Sequence, residues 1–230
     1  MNHGSNLGGN RGTAEEVERT LYRQTDATRR NAAQREYAIA EAARALVTAS
    51  GFSAATVKSV AASAGCSAGL IYTYFPHRDA LLCGTFAHAS GHELAAVTHA
   101  LDTAPTAAEA VAALVDTFLT RALAGARLAD ALLFEALPPA VEAERLRFRA
   151  DYAAAIARRL DAGISTGDVP AQDTSVTARA LVGALSGCLQ EPVHDEGRTD
   201  FTDAEAGRLI TSMTTFCLAA VGAPPRKDSP

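Results

Sequence analysis

The stretch TVKSVAASAGCSAGLIYTYF, Thr56 to Phe75, decides the fold. It reads as two helices of about eight residues joined by a tight turn. Thr56 and Ser67 are residue types whose side-chain oxygen can cap a helix N-terminus, and each stands where one of the two helices begins. Ala64, Gly65 and Cys66 break the first helix, and glycine suits a sharp bend because it accepts a left-handed backbone. Val57, Val60, Ala61, Ala64 and Ile71 recur where two crossing helices must lock together, and Phe75 adds a further inward anchor. The outward side of the second helix keeps Ser67, Ala68, Leu70, Tyr72, Thr73 and Tyr74, a face small and polar enough to enter a major groove. These are the proportions of a helix-turn-helix.

Before this pair, Ile39, Ala43, Leu46 and Val47 fall on one face of a helix expected over 29–50. Gly51 follows as its left-handed terminator, and Phe52 can fold back onto the last turn. After it, Pro76 suits the start of a fourth helix expected over 77–101. Further helices are expected over 106–124, 128–136, 139–162, 174–190 and 202–221. The breaks between them are marked by Pro105, Gly125, Pro138-Pro139, the Gly163 to Pro170 stretch, and the Glu191 to Arg198 stretch. No segment alternates with a strand's period of two, so the chain is expected to be all-α. Four parts follow: a flexible arm over 1–28 with a short helix between Ala14 and Arg23, a helix-turn-helix head over 29–76, a helical body over 77–222, and a disordered tail over 223–230.

Composition agrees with a globular helical protein. Of the 230 residues, 48% are hydrophobic and 20% charged, there is no Trp, and alanine is abundant. The net charge of −5 is unevenly spread. Residues 1–80 hold nine Arg or Lys against seven Asp or Glu, whereas the remainder holds twelve against nineteen. A DNA-reading head on an acidic body, or simply a solvated surface, gives this asymmetry. Cys66, Cys83, Cys188 and Cys217 have no metal-ligand or redox spacing. The first thirty residues lack the apolar run of a secretory signal, and no apolar stretch is long enough to span a membrane. A cytoplasmic protein without a membrane partner is expected.

The ordered set Ala42-Ala43, Leu46, Gly51-Phe52, Thr56, Val60-Ala61, Ala64 to Ser67, Gly69, Ile71-Tyr72, Tyr74-Phe75, Arg78 and Leu81 resembles the TetR family of bacterial repressors, without insertion between Arg35 and Leu82. Cys66 stands where that family usually has Val, and Arg78 where it usually has Lys. The resemblance implies a homodimer on a pseudo-palindromic operator in double-stranded DNA, released by a small-molecule effector. It places Ser67, Ala68, Leu70 and Thr73 toward base edges. Thr56, Tyr72, Tyr74 and Arg78 fall on the phosphate backbone. Each has a bland alternative: Thr56 as a cap alone, Leu70 packed at the edge of the head, Tyr74 half-buried against the first helix. Arg29 and Arg30 stand where an arm could reach a minor groove, though three nearby Glu dilute the charge of that segment.

In the body, the resemblance implies dimerisation through the last two long helices, with Leu181, Leu185, Leu189, Leu209, Met213 and Phe216 at the interface. It also implies an effector pocket, for which Phe86, Phe118, Phe134, Leu137, Tyr152 and a polar anchor, Arg149, are the candidates. Plain core packing is the alternative for the aromatics and apolar residues, and a solvated charge for Arg149. His88 and His92 stand four apart with His99 two turns on. That spacing can bind zinc, yet no HExxH pattern and no nearby Cys completes a set. These are read as ordinary helical histidines, one of them more plausibly lining the effector pocket than holding a metal; no metal or cofactor is expected. No Ser/His/Asp arrangement, phosphate-cradling loop or paired carboxylate supports an enzyme. A ligand-binding or protein-interaction module without operator binding is the principal rival.

Overall fold

The computed structural model describes the backbone of residues 12–194 and 201–223, and the side chains of 28–193 and 201–223. Among the described residues all regular structure is helical, and ten α-helices follow one another. α1 (Gly12–Ser50) leads into a single 3-10 turn at Phe52–Ala54, then α2 (Val57–Ser63) and α3 (Ala68–Tyr74). The body comprises α4 (Arg78–Thr103), α5 (Ala107–Ala124), α6 (Ala126–Leu133), α7 (Pro139–Thr166), α8 (Thr174–Gly187), α9 (Gln190–His194) and α10 (Asp203–Ala220).

Several boundaries differ from expectation. α1 begins at Gly12 and not near Arg29, so it takes in the Ala14 to Arg23 stretch. The remainder of the expected arm, 1–11, and the tail from 224 on lie outside the described residues, as do the side chains of Arg11, Arg19 and Arg23. Pro76 does not begin the fourth helix. His77 is its N-cap, with Nδ1 accepting the Ala80 N–H at 3.1 Å, and Arg78 is its first residue. The helix expected over 174–190 ends at Gly187 and restarts as α9.

The turns follow from residue type. Gly51 (φ 77°) ends α1, its N–H donating to Val47 O at 2.8 Å, and Gly65 (φ 63°) makes the bend between α2 and α3. Thr56 caps α2 by accepting the Ser59 N–H, while Ser59 Oγ accepts the Thr56 N–H in return. The same reciprocal device starts α5 at Thr106–Glu109 and α10 at Thr202–Glu205.

α5 is the hub of the body, packed by α4, α6, α7, α8 and α10. Its sequence explains this: Ala107, Ala110, Val111, Leu114, Val115, Leu119 and Leu123 are buried over a face wider than half the circumference. α7 approaches it closely at Gly163, where an added Cβ would stand 2.3 Å from Ala107 Cβ.

Two hydrophobic cores result. One joins α5 to the lower half of α4 and to α7, α8 and α10. The other fills the head with Ile39, Ala43, Val47, Phe52, Val60 and Ile71, and it does not stop near 76. Leu81, Leu82, Phe86 and Ala89 of α4, Ala131 and Leu132 of α6, and Val141 and Phe148 of α7 belong to it as well. Head and body therefore share one packed layer. Among the described residues, no helix is long and apolar enough to cross a membrane.

Candidate nucleic-acid interface and ligand cavity

α3 divides its residues as a groove-entering helix must. Ile71 is buried at its centre, while Ala68, Gly69, Tyr72 and Thr73 are exposed, Tyr72 by 52%. Gly69, part of the family-like set in the sequence but not among its expected DNA-facing residues, is exposed on this face and leaves it free of bulk. Ser67 lies at the N-cap, its Oγ accepting the Leu70 N–H at 3.2 Å. Thr73 Oγ1 donates to Gly69 O at 3.2 Å, which leaves its lone pairs and methyl outward. Leu70 and Tyr74 are half-buried, and Tyr74 packs against the head core. Thr56 and Arg78 are exposed at the starts of α2 and α4, where unpaired helix N–H groups favour an anion. Lys58 is exposed beside Thr56 on α2.

Tertiary contacts, not local ones, hold this head on the body. Phe52 N–H donates to Glu135 Oε2 at 2.9 Å, across the α6–α7 connection. Arg127 donates to Ala49 O at 2.8 Å. Arg145 donates to Leu132 O and Glu135 O at 2.9 and 2.7 Å, gathering the end of α6. Burial depresses the pKa of that guanidinium, the proximity of Glu142 opposing the shift. On the other side, Glu41 of α1 meets His88 Nε2 of α4 at 3.0 Å and is paired with Arg44. Hydrogen bonding from Arg44, and secondarily from His88, holds the Glu41 carboxyl down to about 2.

A cavity of about 370 Å³ opens among α4, α5, α6, α7 and α8. Phe86, Phe118, Arg149 and Tyr152, all expected in a pocket, line it. Phe134 and Leu137 do not. They sit in the α6–α7 connection, Phe134 against the body core and Leu137 against the head core. Nor do His88, His92 or His99 line it, since α4 turns them away from the interior. The walls are apolar (Val97, Leu114, Leu132, Ile156), and the polar points are few. Glu93 and Arg121 form a two-pronged ion pair at its edge, 28 positions apart in sequence. Tyr152 stands edge-on to Phe118, and burial drives its phenol pKa far upward, so it stays a neutral donor. Arg149 reaches Ser186 Oγ at 3.4 Å, a long contact that leaves most of its donors unused among the described residues. Sequence spacing alone offered no signal for Glu93, Arg121, Arg145 or Phe148.

Cavity and head share side chains. Phe52 of the head stacks on Phe86 with ring centroids 5.8 Å apart, and Phe86 meets Phe148 at 6.0 Å. Phe86, Phe148 and Leu132 line the cavity and belong to the head core at once.

The expected dimer residues separate into two groups. Leu181, Leu185 and Leu189 are 0–2% exposed in the single chain, so they fasten α8 and the turn after it to the chain's own body instead of offering a surface. Their spacing is that of an inward face, which periodicity cannot distinguish from an interface. On α10, Phe216 is 53% exposed, while Leu209 and Met213 are half-buried and pack in part against the body core, the three at helical spacing. Val176 (52% exposed), Ala180, Gly183 and Gly187 form the corresponding face of α8, and Cβ atoms added at either glycine would meet nothing within 4 Å.

Residues 39–83 match the model of bacterial regulatory proteins, tetR family. No curated protein matches the chain. Solved structures do. The fatty acid degradation regulator FadR from Bacillus halodurans is 19% identical, with a TM-score of 0.65 over 79% of this chain and 96% of that one. FadR from Bacillus subtilis, solved in complex with stearoyl-CoA, is 18% identical, with a TM-score of 0.65 over 80% and 98%. A tetR-family regulatory protein from Rhodococcus RHA1 is 21% identical, with a TM-score of 0.61 over 83% and 98%. At such identities the likeness is one of fold. The head matches the tetR-family model and the whole chain shares the fold of solved tetR-family proteins, which supports a DNA-binding transcriptional regulator.

Proposed function

We propose that this regulator is a cytoplasmic repressor that holds a pseudo-palindromic operator as a homodimer and lets go when a small molecule fills the body cavity. The observation that carries the reading is the aromatic series Phe52, Phe86 and Phe148, which is head core at one end and cavity wall at the other. A ligand that wedges Phe86 or Phe148 outward disturbs the seat of the head. For release, it must bind the DNA-incompetent arrangement better than the competent one.

In this reading α3 enters the major groove with Ser67, Ala68, Leu70 and Thr73 toward the bases and Gly69 allowing close approach. Tyr72, Tyr74, Thr56 and Arg78 hold phosphates. Leu209, Met213 and Phe216 meet their mates from a second chain, together with Val176 and the small residues of α8. The symmetry axis then sets the spacing of two heads to about one DNA turn. The effector is an apolar molecule with an acidic end: the cavity walls take the apolar body, and Arg149, with Tyr152 and Ser186 near it, takes the anion. Stearoyl-CoA bound to the Bacillus subtilis FadR has this chemistry, an acyl chain joined to an anionic group, which supports the reading.

The test is a gel shift of the purified chain with DNA from beside its own gene, run at two salt concentrations. Binding that weakens steeply with salt, and that long-chain acyl thioesters or fatty acids abolish, agrees with the reading. A dimeric, folded sample that binds no such fragment at low salt overturns it in favour of a ligand-binding module without operator binding. Phe216→Glu should give a folded monomer in sedimentation; an unchanged dimer places the interface elsewhere.

A further inference from the structure

The histidines that spacing left without a third ligand acquire one in three dimensions. His88 and His92, one helical turn apart on α4, have ring centroids 4.8 Å apart with the rings nearly perpendicular. Glu41 arrives from α1, and the ligand-capable atoms of Glu41, His88 and His92 all lie within 4.8 Å of one another. We propose that Glu41, His88 and His92 form a divalent transition-metal site of the zinc type, which clamps α1 of the head to α4.

The chemistry suits such an ion. Two imidazoles and one carboxylate, with water in the fourth position, are a normal tetrahedral donor set. Donor atoms around tetrahedral zinc stand about 3.3 Å apart, given bonds of about 2.0–2.1 Å. Glu41 Oε2 and His88 Nε2 are already 3.0 Å apart, so the metal takes the place of the proton they share. His92 closes the remaining gap by a side-chain rotation, which its exposure allows. No described residue hydrogen-bonds His92, so its nitrogens are available, and a plain Glu41–His88 pair gives it no role. Around the three ligands an outer layer is in place. Arg44 donates to both Glu41 oxygens and orients the carboxylate, and Tyr37 packs edge-on against the His88 ring 5.1 Å away. None of the three ligands lines the cavity, and the site joins α1 of the head to α4. Metal binding there stiffens the seat of the head on α4.

The experiment titrates the metal-free full-length chain with Zn(II) against a chelating indicator, and with Co(II) by absorption. Expected are one ion per chain, a Co(II) spectrum of tetrahedral nitrogen and oxygen ligation, and a thermal midpoint raised by zinc. H92A and E41Q should each weaken binding at least tenfold and remove the thermal shift. His92 is exposed and outside both cores, so H92A keeps the fold and serves as the decisive variant. Absence of binding overturns the site. So does E41Q binding as tightly as the natural chain, which reduces the site to two histidines on one helix. A thiolate charge-transfer band, which moves the metal to the cysteines, also overturns it.

Discussion

The head and the cavity of this regulator are built by opposite rules. Most of the residues proposed to face DNA lie on or beside one short helix, α3, where a residue's neighbours in sequence are its neighbours in space. The cavity draws its wall from five helices between Phe86 and Ser186, and its ion pair joins Glu93 to Arg121. An element that functions by protruding can be local. One that functions by enclosing cannot. The two are nonetheless one packed body at Phe86, and that residue is where the contrast is most easily broken.

Phe86→Ala should produce the largest effect. The side chain is 1% exposed and touches both head and cavity, and removing such a ring costs about 3–5 kcal/mol. Urea unfolding should show a single transition at lower midpoint. Two separate transitions, with the body unmoved, would mean that the shared layer is not cooperative.

Cys217 tests the body alone. Its thiol is fully buried, and burial with Cys188 nearby pushes it from the ordinary 9.0 up to about 11. Two units mean about a hundredfold less thiolate at neutral pH. Native-state alkylation should therefore leave Cys217 unmodified while the part-exposed Cys66 of the head reacts. The native state holds this proton more tightly than the unfolded chain, so its contribution to stability is complete below about 9 and is lost as pH rises toward about 11. Labelling of Cys217 as fast as Cys66 near neutral pH would contradict the packing.

Gly163→Ala probes a close approach of α5 and α7 in the body. A Cβ there meets Ala107 Cβ at 2.3 Å, so α5 and α7 must part, at a cost of about 1–3 kcal/mol by thermal unfolding. In the head, Thr56→Ala removes the cap oxygen that accepts the Ser59 N–H and touches Ser59 Oγ, while the Thr56 N–H to Ser59 Oγ bond stays, for about 1 kcal/mol. If Gly163→Ala costs less than Thr56→Ala, the body is the softer of the two. Tyr72→Phe is the smallest change. Stability should stay within about 0.5 kcal/mol, as for an exposed position, while operator affinity falls several-fold. Unchanged affinity removes Tyr72 from the phosphate contacts.

What the sequence determined was whatever depends on near neighbours. The caps at Thr56 and Ser67, the left-handed glycines 51 and 65, and the inward faces led by Val60 and Ile71 were legible because each obeys a rule spanning four residues or fewer. The all-helical class followed from the same periodicity. Tertiary structure alone decided which apolar faces pair with which. Periodicity reports that Leu181, Leu185 and Leu189 face something apolar, and only the packed chain shows that this is the chain's own body. Likewise Phe134 and Leu137 are aromatic and aliphatic enough for a pocket, but the α6–α7 connection carries them elsewhere. Glu41 meeting His88 and Glu135 meeting Phe52 span 47 and 83 positions. Such pairings are fixed by the joint packing of α1, α4, α6 and α7, a property of the whole fold that no local pattern encodes.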